Sequence, residues 1–531
     1  MINSISLYTI ITFLILVFVC AIHYSKGKST LAEYFLAKNR FNWFIIGFVA
    51  FITNTAATTF ITISSWSFID GLVVFNFELT GILCCIILSL VFGRIYMSNN
   101  IYTTAEYIGR RFNNATAYIT SILLIFMYII SRISVILICI GLVADFFLGI
   151  DIYTSSLFMI IFCGVYSIIG GQRTIIMTGF IMGWIVLIGG LLLPIFILSN
   201  EDINSKIIEL PDNFLSLLRP IGKDPFSWPG VLIGMPIIGI WYHCINHELV
   251  QKFLGSKNYL HFQAGALFHG YLKLLVFPLV ILPGILGYFI CADVNSDKIY
   301  PLLIFSYVPK SIQGIVICGL LTSGMVSLSA SFNACSTLFT FDFYRKIYPN
   351  ANDFVLMNIG RIATIIIVIV SMIWLVLLQT FNSNIFLFVT SILTYFTPPF
   401  AVIYLTGVLW ARATPRAALY TLVSGITIGF IKFTITFMNN NGWIINATLK
   451  YIAEFNFLYF TIILFAQNLF TIIILSYMEP AQDINSIKTL LLKNNWKWEL
   501  KSASDIAFQK RIYVAAIGLF MIIVGIYAVF Y

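Results

Sequence analysis

Charge is what this sequence has least of. Lys, Arg, Asp and Glu together make up 10% of its 531 residues, against about 25% in a soluble domain. A chain this poor in charge lacks the polar surface to dissolve as a globule. It is not a disordered chain either, because 60% of it is hydrophobic. Cysteine is sparse and unpatterned: none of the nine falls in a CxxC or metal-finger spacing. Cys84, Cys85, Cys139 and Cys163 lie inside apolar runs and read as small core residues, which excludes a disulfide scaffold and leaves no redox signal. Nucleophile, phosphate-loop, dinucleotide and HExxH patterns are also missing. An intramembrane enzyme needs an acid–base or metal constellation at one depth. None is evident, so neither enzymatic activity nor an organic cofactor is expected.

What the sequence does have is long apolar runs. About 20 apolar residues fill the hydrocarbon core as a helix. Fourteen such spans are read: 6–23, 42–69, 72–97, 115–147, 152–170, 174–199, 229–254, 260–290, 312–343, 358–380, 384–410, 415–438, 456–478 and 511–531. The fold class is therefore an all-α polytopic membrane protein. The first span has no basic residue before it and is followed by Lys26, Lys28, Lys38 and Arg40, which predicts a retained anchor with its N-terminus outside. Alternation then leaves Lys206, Arg219, Lys223, Lys298, Lys310 and Lys450 outside and Arg132, Lys273 and Lys432 at membrane depth. Every other basic residue falls on an inner loop or at the inner end of a span. The formal charge of +9 is thus an orientation signal, with both termini outside, and no nucleic-acid partner is expected. The inner loop at 479–510, with Trp496 and Trp498, is expected to lie along the membrane surface.

Polar groups in hydrocarbon are costly and mark pathways by default. The second span carries Thr53-Asn54-Thr55-Ala56-Ala57-Thr58-Thr59. A helix broken there would free backbone groups for an ion or solute; equally, small residues of this kind serve tight helix packing. Glu78 and Lys273 are lone charges of opposite sign. Each is a structural ion awaiting a partner or a solute ligand, and pairing with one another would satisfy both. Arg132 is read as an interhelical tie or gate. In Trp241-Tyr242-His243-Cys244-Ile245-Asn246-His247-Glu248 the two histidines share a helical face, but the sequence offers no third ligand, so Tyr242 as an aromatic gate is the better use. Pro236 is the expected interruption of that span. The ninth span is dense in hydroxyls, from Thr322 and Ser323 through Ser327 and Ser329 to Thr337. They either back-bond to the preceding turn or supply hard oxygen ligands of the kind alkali cations prefer.

The chain resembles the sodium/solute symporter family and, within it, the sodium/glucose cotransporter branch. The resemblance rests on Glu33-Tyr34-Phe35-Leu36-Ala37, Ile169-Gly170-Gly171, Ile240 to Cys244 with Val250-Gln251-Lys252, and Gly270-Tyr271-Leu272-Lys273-Leu274. It continues through Ser331 to Thr340 with Asp342-Phe343-Tyr344, and Thr394-Tyr395 with Pro398-Pro399. It implies a single transporter domain over 1–531 with a five-plus-five inverted-repeat (LeuT-like) core, the repeats at 42–199 and 229–410. An extra N-terminal helix and inner loop (1–41) and C-terminal helices (411–531) flank that core. By the same resemblance Asn54, Glu78 and Lys273 bind solute hydroxyls, Tyr242 is the inner gate, and Thr390 stands where sugar carriers place a Gln. A sodium ion would take backbone oxygens of Ile52, Thr55 and Ser323 and the hydroxyl of Ser327.

Three departures from the family pattern qualify this picture. Val326 stands where a second hydroxyl ligand is typical, and Gly179 and Met182 replace an Asp and a Gln in the sixth span, so a second sodium site using that acid is not expected. The function expected is secondary active transport, sodium-coupled symport of a small polar organic solute with sugar or a similar polyol first, by alternating access in the cell membrane. The partners are then the solute, Na+ and the bilayer. The alternatives are a proton-coupled or sodium-independent carrier of the same fold, and a solute-binding membrane sensor. Signalling members carry a kinase region after the last helix, and a chain ending at Tyr531 is expected to lack one.

Overall fold

The computed structural model describes residues 4–25, 30–199, 214–222, 226–290, 294, 296–378, 385–443, 446–492 and 503–530. Among them the secondary structure is helical, with two isolated β-bridges, Phe41 with Ser256 and Arg219 with Ser227. Ten helices are long and apolar enough to cross a membrane, and three shorter apolar helices accompany them, Trp43–Asn54, Gly230–Ile245 and Leu393–Leu409. The chain is an all-helical polytopic membrane protein.

Two glycines divide what would otherwise be overlong helices. Gly71 (φ 69°) turns the chain between Ser64–Asp70 and Gly71–Phe75, and Gly171 (φ 59°) kinks the 47-residue Ile152–Leu198 helix. Both are positions an L side chain resists. A Cβ at Gly171 would also meet the Tyr34 carbonyl at 2.6 Å. The expected separate spans 152–170 and 174–199 are therefore joined through a kink, with no connecting loop.

Burial sorts the helices by what they face. Of the most apolar window in Gln313–Ile347, 94% is buried, against 22% in Ala503–Val529 and 28% in both Ser4–Ser25 and Phe457–Met478. The hydroxyl-rich helix is thus the hub of the molecule, while the most uniformly apolar helices lie at its rim, where Ile15, Ile463, Phe470 and Val514 are exposed. Next to the hub, the Trp43–Asn54 helix packs closely on Tyr259–Lys273. Gly47 allows this, since a Cβ there would lie 2.6 Å from the Gly265 carbonyl oxygen. That close approach brings Asn54 alongside Lys273.

Two expected spans are interrupted. The span read at 42–69 stops at Asn54, and Thr55 adopts φ −85°, ψ 65°. The span read at 229–254 does not break at Pro236. There the widened Gly230–Gly234 turn runs straight into Met235–Ile240, and Pro236 lies within the continuous Gly230–Ile245 helix. The break falls instead at Asn246 (φ −55°, ψ 115°). His243 and His247 sit on opposite sides of it and share no helical face. Of the 479–510 loop, a short Ile484–Ile487 helix and a single turn at Lys488–Leu490 are seen; Trp496 and Trp498 lie outside the described residues.

Candidate functional site

At the first break the helical ladder runs out, but not every carbonyl is idle. The Thr55 N–H still reaches the Phe51 carbonyl at 2.7 Å, and the Thr59 hydroxyl donates to the Asn54 carbonyl at 3.2 Å. The hub helix supplies a further bond. Ser327 Oγ lies 2.7 Å from the Thr53 carbonyl oxygen and 3.1 Å from that of Ser323. The Ser323 hydroxyl back-bonds to the Leu320 carbonyl at 2.7 Å, so the atom Ser323 presents here is its own carbonyl oxygen. Thr53 Oγ1 and Thr55 Oγ1 are buried with no hydrogen-bond partner among the described residues. Ser327 thus links the hub helix, through the Ser323 carbonyl, to the Thr53 carbonyl just before the break. Ile52 directs its side chain at Gly183, where a Cβ would meet it at 2.6 Å. Thr53, whose carbonyl is the oxygen that Ser327 engages, was missed, since nothing in a threonine's own neighbours marks its backbone oxygen.

A second cluster lies on the other flank of the same break. Lys273, the last residue of the Tyr259–Lys273 helix, places its ammonium 2.5 Å from Glu78 Oε2 and 2.6 Å from Asn54 Oδ1. Glu78 occupies the first turn of Asn76–Ile87. The start of that helix is fixed by Asn76, which donates to the carbonyls of Val73 and Leu217, both at 2.7 Å, and accepts from the Tyr527 hydroxyl at 2.6 Å. The Lys273 side chain is 2% exposed and that of Glu78 10%. Removing both charges from water is costly, and only good geometry with additional hydrogen bonds compensates. Asn54 supplies one such bond. The pairing of Glu78 with Lys273 that would satisfy both charges is what forms, with Asn54 as third member.

The second break is held by the Asn114–Leu148 helix. Asn246 Oδ1 accepts from the Glu248 N–H at 3.1 Å and from the Tyr128 hydroxyl, and the Tyr128 oxygen also accepts from the Glu248 N–H at 3.0 Å. One turn on, Arg132 Nε lies 3.3 Å from Glu248 Oε2, and Arg132 also donates to the Thr53 carbonyl at 3.2 Å. Its guanidinium sits 5.6 Å from the centre of the Tyr242 ring, a cation–π contact. Arg132 is therefore an interhelical tie, and it joins the two breaks. Glu248 is a site residue the sequence reading passed over, because its partner is remote in the chain. Thr390 falls in the Ile385–Leu409 helix, and its side chain lies outside the described residues.

The positions of two of the three departures, Gly179 and Val326, are now visible. A Cβ at Gly179 would lie 3.3 Å from Val49 Cγ1 and 3.4 Å from Val326 Cγ1. Val326 therefore turns its methyls toward the gap that Gly179 leaves.

Comparison with known proteins places this geometry. The description "Sodium:solute symporter family" matches residues 34–425. The human sodium/myo-inositol cotransporter 2 is 29% identical over 450 residues, 77% of this chain and 66% of the relative. The mouse sodium/glucose cotransporter 1 is 27% identical over 529 residues, 91% of this chain and 78% of the relative. The chain thus spans between about two thirds and four fifths of the length of these relatives. Among solved structures, a Na+-coupled sialic acid symporter in a substrate-bound outward-open state superposes with a TM-score of 0.76 at 19% identity, covering 90% of this chain and 99% of the other. That likeness is one of fold.

Proposed function

The chain belongs to the sodium:solute symporter family, and from that membership we propose that it is a secondary active transporter coupling Na+ entry to uptake of a small polyhydroxylated solute. The observation that carries this reading is the buried Lys273–Glu78–Asn54 triad beside a broken helix. An ammonium, a carboxylate and an amide offer donors and acceptors in the arrangement a hydroxylated solute would exchange for its water. The relatives named for myo-inositol and glucose support a solute of this class.

Solute hydroxyls would insert between Lys273 and Glu78 and take over their hydrogen bonds, with Tyr242 closing the inner side and Thr390 contributing from the Ile385–Leu409 helix. Na+ would sit at the first break, held by the carbonyls of Ile52, Thr55 and Ser323 and by Ser327. To ligate the ion, the Ser327 hydroxyl must rotate its proton away from the Thr53 carbonyl and offer a lone pair. Counting the helices apart at Gly71 and Gly171 and together across the two breaks supports fourteen crossings, an even number that leaves both termini on one side; the excess of basic residues on the inner loops makes that side the outside of the cell membrane. Inverted repeats at 42–199 and 229–410 are flanked by 1–41 and 411–531 in one transporter domain. Alternating access then moves the broken helices around a midplane site.

The test is uptake of labelled glucose and myo-inositol into proteoliposomes with and without an inward Na+ gradient. Faster uptake with the gradient is expected; equal rates would sink the coupling, and no uptake of either solute would sink the polyol assignment. The apolar contact between Val326 and the Gly179 position favours one second reading, a carrier driven by protons or by no ion. On that reading Ser327→Ala leaves uptake unchanged.

A further inference from the structure

Beside the triad, and unused by the transport reading, three helices bring together Cys85, His243 and His269. One ligand atom from each lies within 4.8 Å of the others, and all three residues are buried. Cys85 comes from Asn76–Ile87, His243 from the wide turn Trp241–Ile245 and His269 from Tyr259–Lys273. The two imidazole centroids are 6.0 Å apart. Buried polar atoms are normally hydrogen-bonded. Here His243 Nε2 and both ring nitrogens of His269 have no partner among the described residues. His243 Nδ1, by contrast, is 3.2 Å from the Gly239 carbonyl. That bond fixes the tautomer with its proton on Nδ1 and leaves the Nε2 lone pair directed at the cluster, the outer-shell arrangement that metal-ligating histidines use.

We propose that Cys85, His243 and His269 form a binding site for a thiophilic transition-metal ion, of the Zn2+ or Cu+ class, with a fourth position left open. One thiolate and two imidazoles suit such ions and do not suit Na+, Mg2+ or Ca2+, which prefer oxygen. Tetrahedral bonds of about 2.0 Å to nitrogen and 2.3 Å to sulfur require ligand atoms about 3.5 Å apart, so a small inward rotation of the three side chains closes the site. Binding releases the Cys85 proton, and the thiolate offsets one of the metal's charges. For a divalent ion such as Zn2+ or Co2+ one charge remains, and it acts on Lys273. A Cβ built on Gly81 would meet Lys273 Cε at 2.5 Å and His243 Cε1 at 2.9 Å, so both side chains lie against the same glycine. Ammonium and metal ion therefore repel one another at close range.

The test uses the purified full-length protein in detergent. Zinc-loaded wild type should give an X-ray absorption fine structure with one sulfur and two imidazole nitrogens in its first shell; a shell made only of oxygen overturns the site. Co2+ at one equivalent should give a thiolate charge-transfer band in wild type and in Cys84→Ser. The band should be lost in Cys85→Ser and in His269→Gln, and its persistence in both of these as monodisperse protein overturns the assignment. Lys273→Met, which removes the opposing ammonium, should tighten Co2+ binding about tenfold. Unchanged affinity overturns the placement of the metal beside Lys273.

Discussion

Gly179 and Val326 face one another across two helices. The Cβ that glycine lacks would stand 3.4 Å from a Val326 methyl. Two of the three departures, far apart in the chain, thus meet at one place, where a small residue lies against a methyl-bearing one.

Val326→Ser alone should lower the Na+ concentration giving half-maximal uptake by adding a hydroxyl beside Ser327. It should also cost about 1 kcal/mol of stability through lost packing. Gly179→Asp alone should be worse, because it buries a carboxylate against Val49 and Val326. The double variant should be more stable than Gly179→Asp by thermal unfolding in detergent, and a double variant less stable than Gly179→Asp by the full cost of Val326→Ser would show that the two positions are not coupled.

Removing one member of the Lys273–Glu78 pair leaves the other as an uncompensated buried charge, typically about 3–5 kcal/mol destabilising. Lys273→Met and Glu78→Gln should each reduce the unfolding temperature more than the double variant does. Strict additivity in that double-mutant cycle contradicts the pairing.

Arg132→Lys should lose most transport activity although it keeps the charge, since an ammonium lacks the planar fork that reaches Glu248 and the Thr53 carbonyl together. A cycle of Arg132→Ala and Glu248→Ala should show a coupling of about 1 kcal/mol or more. Uptake unaffected by Arg132→Lys would reduce the residue to a generic positive charge.

Gly71→Ala combines a disfavoured φ of 69° with a Cβ only 2.2 Å from the Phe214 carbonyl oxygen. It should destabilise by more than about 1 kcal/mol, seen as lower yield of monodisperse protein. An alanine tolerated without loss would mean that this turn relaxes freely.

Much of this was legible in the residues. Two lone charges of opposite sign inside apolar runs point to one another, and the small polar run at Thr53–Thr59 points to a break. What the residues did not disclose depends on partners distant in sequence. Asn246 holds a ψ of 115° where Tyr128 of another helix bonds to its side chain, whereas Pro236, the locally obvious breaker, lies in a helix that continues through it behind the widened Gly230–Gly234 turn. Glu248, merely the end of the Trp241–Glu248 run in the sequence, takes its role from Arg132 of a distant helix. His269, flanked by Phe268 and Gly270, gave no sign of lying opposite Cys85 and His243.

Because Arg132 grips the carbonyl at one interruption and the carboxylate beyond the other, the two discontinuities share a single pin. Its two ends are unequal. Leaving Glu248 would strand a cation and a carboxylate in a dry interior, whereas leaving the Thr53 carbonyl keeps the ion pair whole. The first interruption is therefore the cheaper of the two to let go.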